Sequence, residues 1–255
     1  QKINLKIYTN EKKFASIIIK SLLNIKHNGY VKDKADKIKA ILLVEIVNQK
    51  PCYLEARIRP HGDLRDHYEY SSFEKFQLPS LRVELTNTHI FGIVEFILFR
   101  PTTRNGENEV YINSLFSNLG YLAPRTSFSK IGFKNFNYEM IFQEVINKEF
   151  LEYNQLVEGP ILSGDERNVF ENDLPGLSWH KLDNKKWIKQ NKSNYQTSKK
   201  ALDSINYIYF NHSIPKFNQT KIIDYHSSTQ GTKFHDQYKK LASFDSLLFS
   251  TMSLH

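Results

Sequence analysis

Apolar and polar positions alternate along the chain in two different rhythms, and the change between them falls near residue 147. Near the start, Phe14, Ile18, Leu22 and Ile25 recur at helical spacing, with Asn10 placed to cap the first turn and Gly29 to end the last. Ile41 to Val47 is a short apolar run bounded by Asn48 and Pro51. Leu54, Ala56 and Ile58 alternate with Glu55, Arg57 and Arg59, which predicts a half-buried strand. Leu81, Val83 and Leu85 alternate in the same way with Arg82 and Glu84, and the more uniformly apolar run from Ile90 to Phe99 predicts a central strand. A helix is expected from about Asn108, with Ile112, Leu115, Phe116 and Leu119 as its inward stripe and Gly120 as its end. Thr126 to Phe133 and Tyr138 to Val145 read as paired strands, and Lys148 to Tyr153 opens another helix.

Beyond residue 147 the rhythm becomes helical with long connections. Gly159-Pro160, Pro175-Gly176 and the polar stretch from Lys185 to Ser193 read as loops. Leu202, Ile205 and Tyr209 mark one helix, and Phe234, Tyr238, Leu241, Leu248 and Met252 mark another. Three segments follow: a helical N-terminal segment over 1–45, a β-rich lobe over 46–146 and a partial helical lobe over 147–255. A β-rich lobe with one inserted helix, followed by a helical lobe, is the layout of a protein-kinase-like fold, and pattern alone leaves other α+β arrangements open. The last helical pattern runs to His255 without a stop signal and the chain begins at Gln1, so both ends read as cuts through a longer protein.

Composition narrows the partners only slightly. The 255 residues carry a formal net charge of +8, which suits a phosphate-bearing or otherwise anionic partner, or else basic residues spread over solvated faces. There is no run of five or more consecutive basic residues. The single cysteine, Cys52, excludes an internal disulfide and a Cys-based zinc site and reads as a buried small hydrophobe. No apolar stretch is long enough to span a bilayer as a helix. His61 and His67, six apart around a turn, and His226 and His235 lack metal-ligand helix spacing, and no Walker loop, nucleophile elbow or dinucleotide fingerprint is present.

Three stretches carry a resemblance: residues 55–67, residues 98–110 with their continuation Leu119-Gly-Tyr-Leu-Ala-Pro-Arg-Thr126, and residues 138–151. In this order and spacing they resemble the spore-coat-protein-H (CotH) kinase-like family. The resemblance covers about residues 40 to 165. It implies an α+β, protein-kinase-like fold with a β-rich N-lobe and an incomplete helical C-lobe. It also implies ATP- and Mg2+-dependent phosphoryl transfer to Ser or Thr of a surface or secreted protein in the full-length form. A cell-envelope or secreted location follows from it alone.

Carried over residue by residue, the resemblance makes Gly62 the apex of a phosphate-facing turn flanked by Arg59, His61 and Arg65. Arg82 stands where the family has a strand lysine for the nucleotide phosphates, a departure that keeps the charge but changes the geometry. Glu109 is expected to pair with Arg82 or Arg104, and Gln143, Glu144 and Val145 to form the hinge whose backbone meets adenine. Each residue also has a plainer reading: an ordinary β-turn at Gly62, a surface arginine at 82, and helix-terminal acids at 109 and 144. Asp165 reads as a metal or substrate contact or as an exposed turn. The magnesium ligands and the catalytic aspartate are expected C-terminal to His255, since Asp224, Asp236 and Asp245 fit no matching pattern. No metal ligand is assigned within the chain. A rival reading is a non-catalytic module that binds an anionic glycan or nucleic acid through the basic turn. Nucleic acid is the weaker of those ligands, since Tyr68 and Tyr70 beside Arg65 are the only aromatics interleaved with the basic residues.

Overall fold

A computed structural model describes residues 3–31, 35–68, 77–165 and 179–213. It divides into two compact units, Gln1–Leu156 and Val157–His255.

The first unit is a closed seven-stranded barrel. Its strands are β1 (Ile3–Thr9), β2 (Ile38–Ile46), β3 (Cys52–Pro60), β4 (Leu81–Leu85), β5 (Glu95–Phe99), β6 (Thr126–Phe133) and β7 (Phe136–Glu144). They pair in the order β1-β2-β3-β4-β5-β7-β6, and β6 returns to β1. Every neighbouring pair is antiparallel except the closing one, where β1 and β6 run parallel with Leu5 opposite Ile131 and Ile7 opposite Phe133. Strand alternation sends one set of side chains inward. Ile58, Val83, Phe96, Leu98, Ile131 and Phe142 belong to this core, and Phe96 stacks on Phe142 with ring centroids 4.4 Å apart.

Helix α1 (Glu11–Asn28) connects β1 to β2 and packs Phe14 against Phe133, 5.3 Å between centroids. Its ends are as the sequence reads. The Asn10 side chain accepts from Lys13 N–H, and Gly29 sits at φ 79 with its N–H donating to the Ile25 carbonyl. Helix α2 (Asn108–Asn118) lies between β5 and β6, and α3 (Lys148–Tyr153) follows β7 with Asn147 as its cap.

In the second unit β8 (Leu162–Asp165) pairs antiparallel with β9 (Trp179–Leu182), followed by α4 (Lys185–Ile188) and α5 (Lys192–Ser213). Asn184 joins them locally: its amide donates to the Gly159 carbonyl while its oxygen accepts from Ile161 N–H.

This architecture corrects the expectation of a kinase-like two-lobe fold with a helical C-lobe. The described residues contain five α-helices beside a closed barrel. Residues 3–46 are not a separate helical segment, because they supply two barrel strands around α1. The alternation Ile3, Leu5, Ile7 against Asn4, Lys6, Tyr8 is a strand signal placed directly before the α1 cap, and it converts an open sheet into a closed one. Three smaller corrections follow. Ile112, Leu115 and Leu119 of the α2 region are exposed, so the stripe expected to face inward faces outward, while Val110 packs on Ile97, Phe99 and Ile141. Cys52 is exposed at the start of β3. Parts of the stretches read as loops are ordered: Asp165 ends β8, and Lys185–Ile188 is helical. The expected helix over 234–255, Asp224, Asp236, Asp245, His226, His235 and Tyr70 lie outside the described residues.

Barrel closure gives a direct test. Ile7 is 2% exposed on β1, whereas Lys6 on the same strand points outward. Ile7→Ala is expected to lower the unfolding free energy by about 3 kcal/mol, and Lys6→Ala by less than about 0.5 kcal/mol. Urea unfolding of both variants measures this; equal and small losses would mean that β1 does not close the barrel.

Candidate functional site: an arginine and histidine cluster at one barrel end

Antiparallel pairing places the C-terminal end of β3, the start of β4 and the end of β5 side by side. Arg59 stands directly opposite Arg82, and Arg82 opposite Ile97. Cross-strand partners share a face, so two arginines face the same side of the sheet in adjacent positions. Beyond the strands, short 3-10 turns at Arg65–His67 and Pro101–Arg104 bring His67 and Arg104 to the same end.

Phe99 organises the cluster. Its ring, 1% exposed, has the Arg104 guanidinium 4.1 Å from its centroid. His61 meets the same ring edge-on at 5.4 Å, and His67 lies 6.3 Å away. The two imidazoles are edge to face at 6.1 Å. The His67 Nδ1 is 3.0 Å from Ser80 Oγ, and that hydroxyl also accepts from Arg100 N–H. Arg100 itself is held locally, donating to the Asp66 carbonyl and to Gln77 Oε1.

The charges are unequally compensated. Arg82 Nε donates to Glu95 Oε1 at 2.7 Å. Burial works to raise the Glu95 carboxyl, but the Arg82 hydrogen bond and charge prevail and hold it below the usual carboxylate range. Arg59 is 8% exposed, donates to its neighbour's Pro60 carbonyl, and has no carboxylate within ion-pair distance among the described residues. Burial and then the Arg82 charge lower its pKa, against the weaker pull of Glu95, Tyr68 and Asp63. The buried Nε of Arg104 has no hydrogen-bond acceptor among the described residues. His61 records this excess of positive charge: burial first, then Arg59 and Arg82, push its imidazole down to about 2. His67 shifts down as well, chiefly by burial.

The residues expected to form a nucleotide site are distributed as follows. Arg59, His61, Arg82 and Arg104 do come together. Arg65 is exposed in its turn. Gly62 adopts φ 98, and a Cβ there would fall 2.1 Å from the His67 ring, so the absent side chain is what lets His67 pack beneath the turn. Arg82 pairs with Glu95 and not with Glu109, whose Oε1 accepts from Gln143 Nε2 at 2.6 Å. Glu144 is 3% exposed and bound in a two-point ion pair by Arg125, at 2.7 and 2.6 Å. Its strand lies between β5 and β6, with Gln143 paired to Ile97 on one side and Thr126 on the other. Glu144 N–H donates to Arg125 and Val145 N–H to Glu95. The 143–145 backbone therefore has no free edge of the kind a hinge offers a base.

Sequence reading missed Phe99, His67 and Glu95 as members of the cluster. Glu95 follows from register alone, because it lies one diagonal step from Arg82 across β4 and β5. Among the described residues no group of three or more His, Cys, Asp or Glu is placed to hold a metal ion, and no helix is long and apolar enough to cross a membrane.

A depressed imidazole pKa sets a pH dependence with a definite sign. Unfolded His61 binds a proton below about pH 6.5, while the folded form stays neutral, so its contribution is complete above that pH and erodes as pH falls towards 2. By about pH 5.5 the protein is expected to lose about 1.4 kcal/mol through His61, and His67 adds in the same direction. In His61→Gln the loss between about pH 7.5 and 5.5 should shrink by that amount. Denaturant melts at the two pH values decide it; an unchanged pH slope in the variant would show that His61 titrates normally in the fold.

No protein-family model matches this sequence, and no curated protein matches it.

Proposed function

We propose that the barrel unit is a binding module for a phosphate-bearing anion, seated at the cluster of Arg59, Arg82 and Arg104 beside Phe99. One observation carries this reading: among the described residues, buried Arg59 has no carboxylate within ion-pair distance, and the buried Nε of Arg104 lacks an acceptor. A buried charge without an ion-pair partner is costly; Glu95 and Asp63 attract Arg59 without forming one, and a bound anion would add the direct contact. Arginine suits phosphate through its planar donor fork. Neutral His61 adds one donor or acceptor without repelling the arginines.

The kinase-like fold that pointed to phosphoryl transfer is replaced by the barrel, and this favours binding without transfer. ATP stays the first nucleotide to try, with Mg2+ present and absent, because the expectation of a nucleotide came from the same arginines. Transfer from ATP would be a second activity, and no residue of the cluster is assigned to it.

Calorimetric titration with pyrophosphate and ATP tests the proposal. Binding with Kd of about 100 μM or tighter is expected, weakening as salt rises. Arg59→Met, which keeps the volume and removes the charge, should weaken binding by about tenfold or more while leaving the melting temperature unchanged or higher. Arg104→Ala should weaken it without unfolding the barrel. Absence of binding to either anion, or Arg59→Met binding as the parent does, would overturn the proposal.

A further inference from the structure

A separate cleft of about 560 Å³ lies on the barrel unit between α2 and the starts of β6 and the last residues before β5. Its volume falls in the range of small-ligand sites. One wall is the C-terminal half of α2, with Asn113, Ser117 and Asn118. The facing wall holds Thr126 and Ser127 of β6, and Phe91 and Tyr153 line it as well.

The chemistry of this lining is specific. Its one cation, Arg125, is paired with a carboxylate: Nε and Nη2 bind Glu144, Nη1 donates to the Phe91 carbonyl at 2.6 Å, and the guanidinium stacks 3.9 Å from the Tyr153 ring centroid. The cleft therefore carries no free charge to attract an anion. The side chains of Ser117, Asn118 and Ser127 make no hydrogen bond to another described residue, and Asn113 donates to Thr126 Oγ1 while keeping its carbonyl oxygen able to accept. Amides and hydroxyls with unused capacity face a wall that also presents an aromatic ring.

Phe91 is held there against local preference. With Gly92 it forms the two central residues of a tight turn, closed by Ile90 and Ile93 exchanging backbone hydrogen bonds at 3.0 and 2.9 Å. Both central residues have positive φ, 53 at Phe91 and 82 at Gly92. Such a turn favours Asn-Gly, and a bulky side chain at the first position is disfavoured. Yet Phe91 is 38% exposed, so core packing does not account for it, and Arg125 clamps its carbonyl. Strain kept at an exposed aromatic beside a polar cleft points to a ligand.

We infer that this cleft binds a neutral sugar, with Phe91 contacting the apolar face of the ring and Asn113, Ser117, Asn118 and Ser127 bonding its hydroxyls. A charged ligand would find no unpaired countercharge, and a lining that mixes Ile3, Ile93, Pro124 and Phe142 with amides and hydroxyls suits a ligand with both an apolar face and hydroxyls. The site stands apart from the arginine cluster and does not rest on the anion proposal.

The test uses the full chain and three neutral disaccharides: maltose, cellobiose and N,N′-diacetylchitobiose. Binding of at least one is expected with Kd of about 1 mM or tighter, shifting the backbone amide resonances of Phe91, Asn118 and Ser127. Phe91→Asn should leave the fold intact, raise or keep its melting temperature, and weaken binding by about tenfold. Should that variant fail to fold, Asn118→Ala on the exposed helix face serves instead and should weaken binding likewise. Arg59→Met should bind the sugar as the parent does. Failure of all three sugars, unchanged binding in Asn118→Ala or a folded Phe91→Asn, or loss of binding in Arg59→Met would each overturn the inference.

Discussion

The parallel pairing of β1 with β6 is the contact on which the rest of the unit depends. Three registered pairs, from Leu5–Ile131 to Ile7–Phe133, turn a sheet with two free edges into a barrel with none. Closure removes two rows of unpaired backbone groups and encloses the inward-facing side chains on all sides. It also fixes α1, because the chain must cross from β1 to β2 over the end of the barrel where Phe14 meets Phe133. That same end holds the last residues of β3 and β5 and the first of β4. The position of Arg59, His61, Arg82 and Phe99 is thus a consequence of closure.

Register then decides which side chains meet. Alternation sends Ile58, Val83 and Phe96 to the core, so their neighbours Arg59, Arg82 and Ile97 stand in one row on the other face. An arginine directly opposite an arginine is unfavourable unless something intervenes. Glu95 answers for Arg82 by reaching diagonally across one strand. Among the described residues no carboxylate forms an ion pair with Arg59, although Glu95 and Asp63 attract it from farther away. A one-residue slip of β3 against β4 would separate the two cations but would also expose Ile58 and Ala56, so the apolar face enforces the charged juxtaposition.

Much of this was legible locally and little of it globally. The caps at Asn10 and Gly29 and the alternations in β3, β4, β6 and β7 were readable because each is written within a few residues. The β1 strand is hard to read from sequence because its six alternating positions abut a strong helix-start signal. Its parallel partner lies more than a hundred residues away, where periodicity carries no information. The α2 stripe misled for a related reason. Ile112, Leu115 and Leu119 have the spacing of an inward face, but spacing gives no direction, and α2 reaches the barrel through Val110 instead. The four basic and histidine positions of the cluster were singled out from sequence, whereas Glu95, His67 and Phe99 needed the register and the 3-10 turns to join them. Gly62 was noticed for the right property and the wrong neighbour, since the space beside it is taken by His67.

Arg125 shows how this fold treats an arginine that serves structure. Its donors go to both oxygens of buried Glu144 and to the Phe91 carbonyl, and its flat face covers Tyr153. The hydrogen bond and charge of Glu144 outweigh its partial burial and hold its pKa above the usual value. Arg59 is more deeply buried than Arg125 and, among the described residues, its guanidinium donates only to the neighbouring Pro60 carbonyl; its pKa moves the opposite way. Arg104 rests on Phe99, and its Nε meets no acceptor among the described residues. Two arginines left short of partners among the described residues, in a unit whose Arg125 bonds through all three of its guanidinium nitrogens, are not explained by a general scarcity of acceptors. Methionine or leucine would fill the Arg59 position without the desolvation cost. The charge is retained at a position where burial opposes it and only the more distant attraction of Glu95 and Asp63 offsets it, which is the feature the proposed anion site rests on.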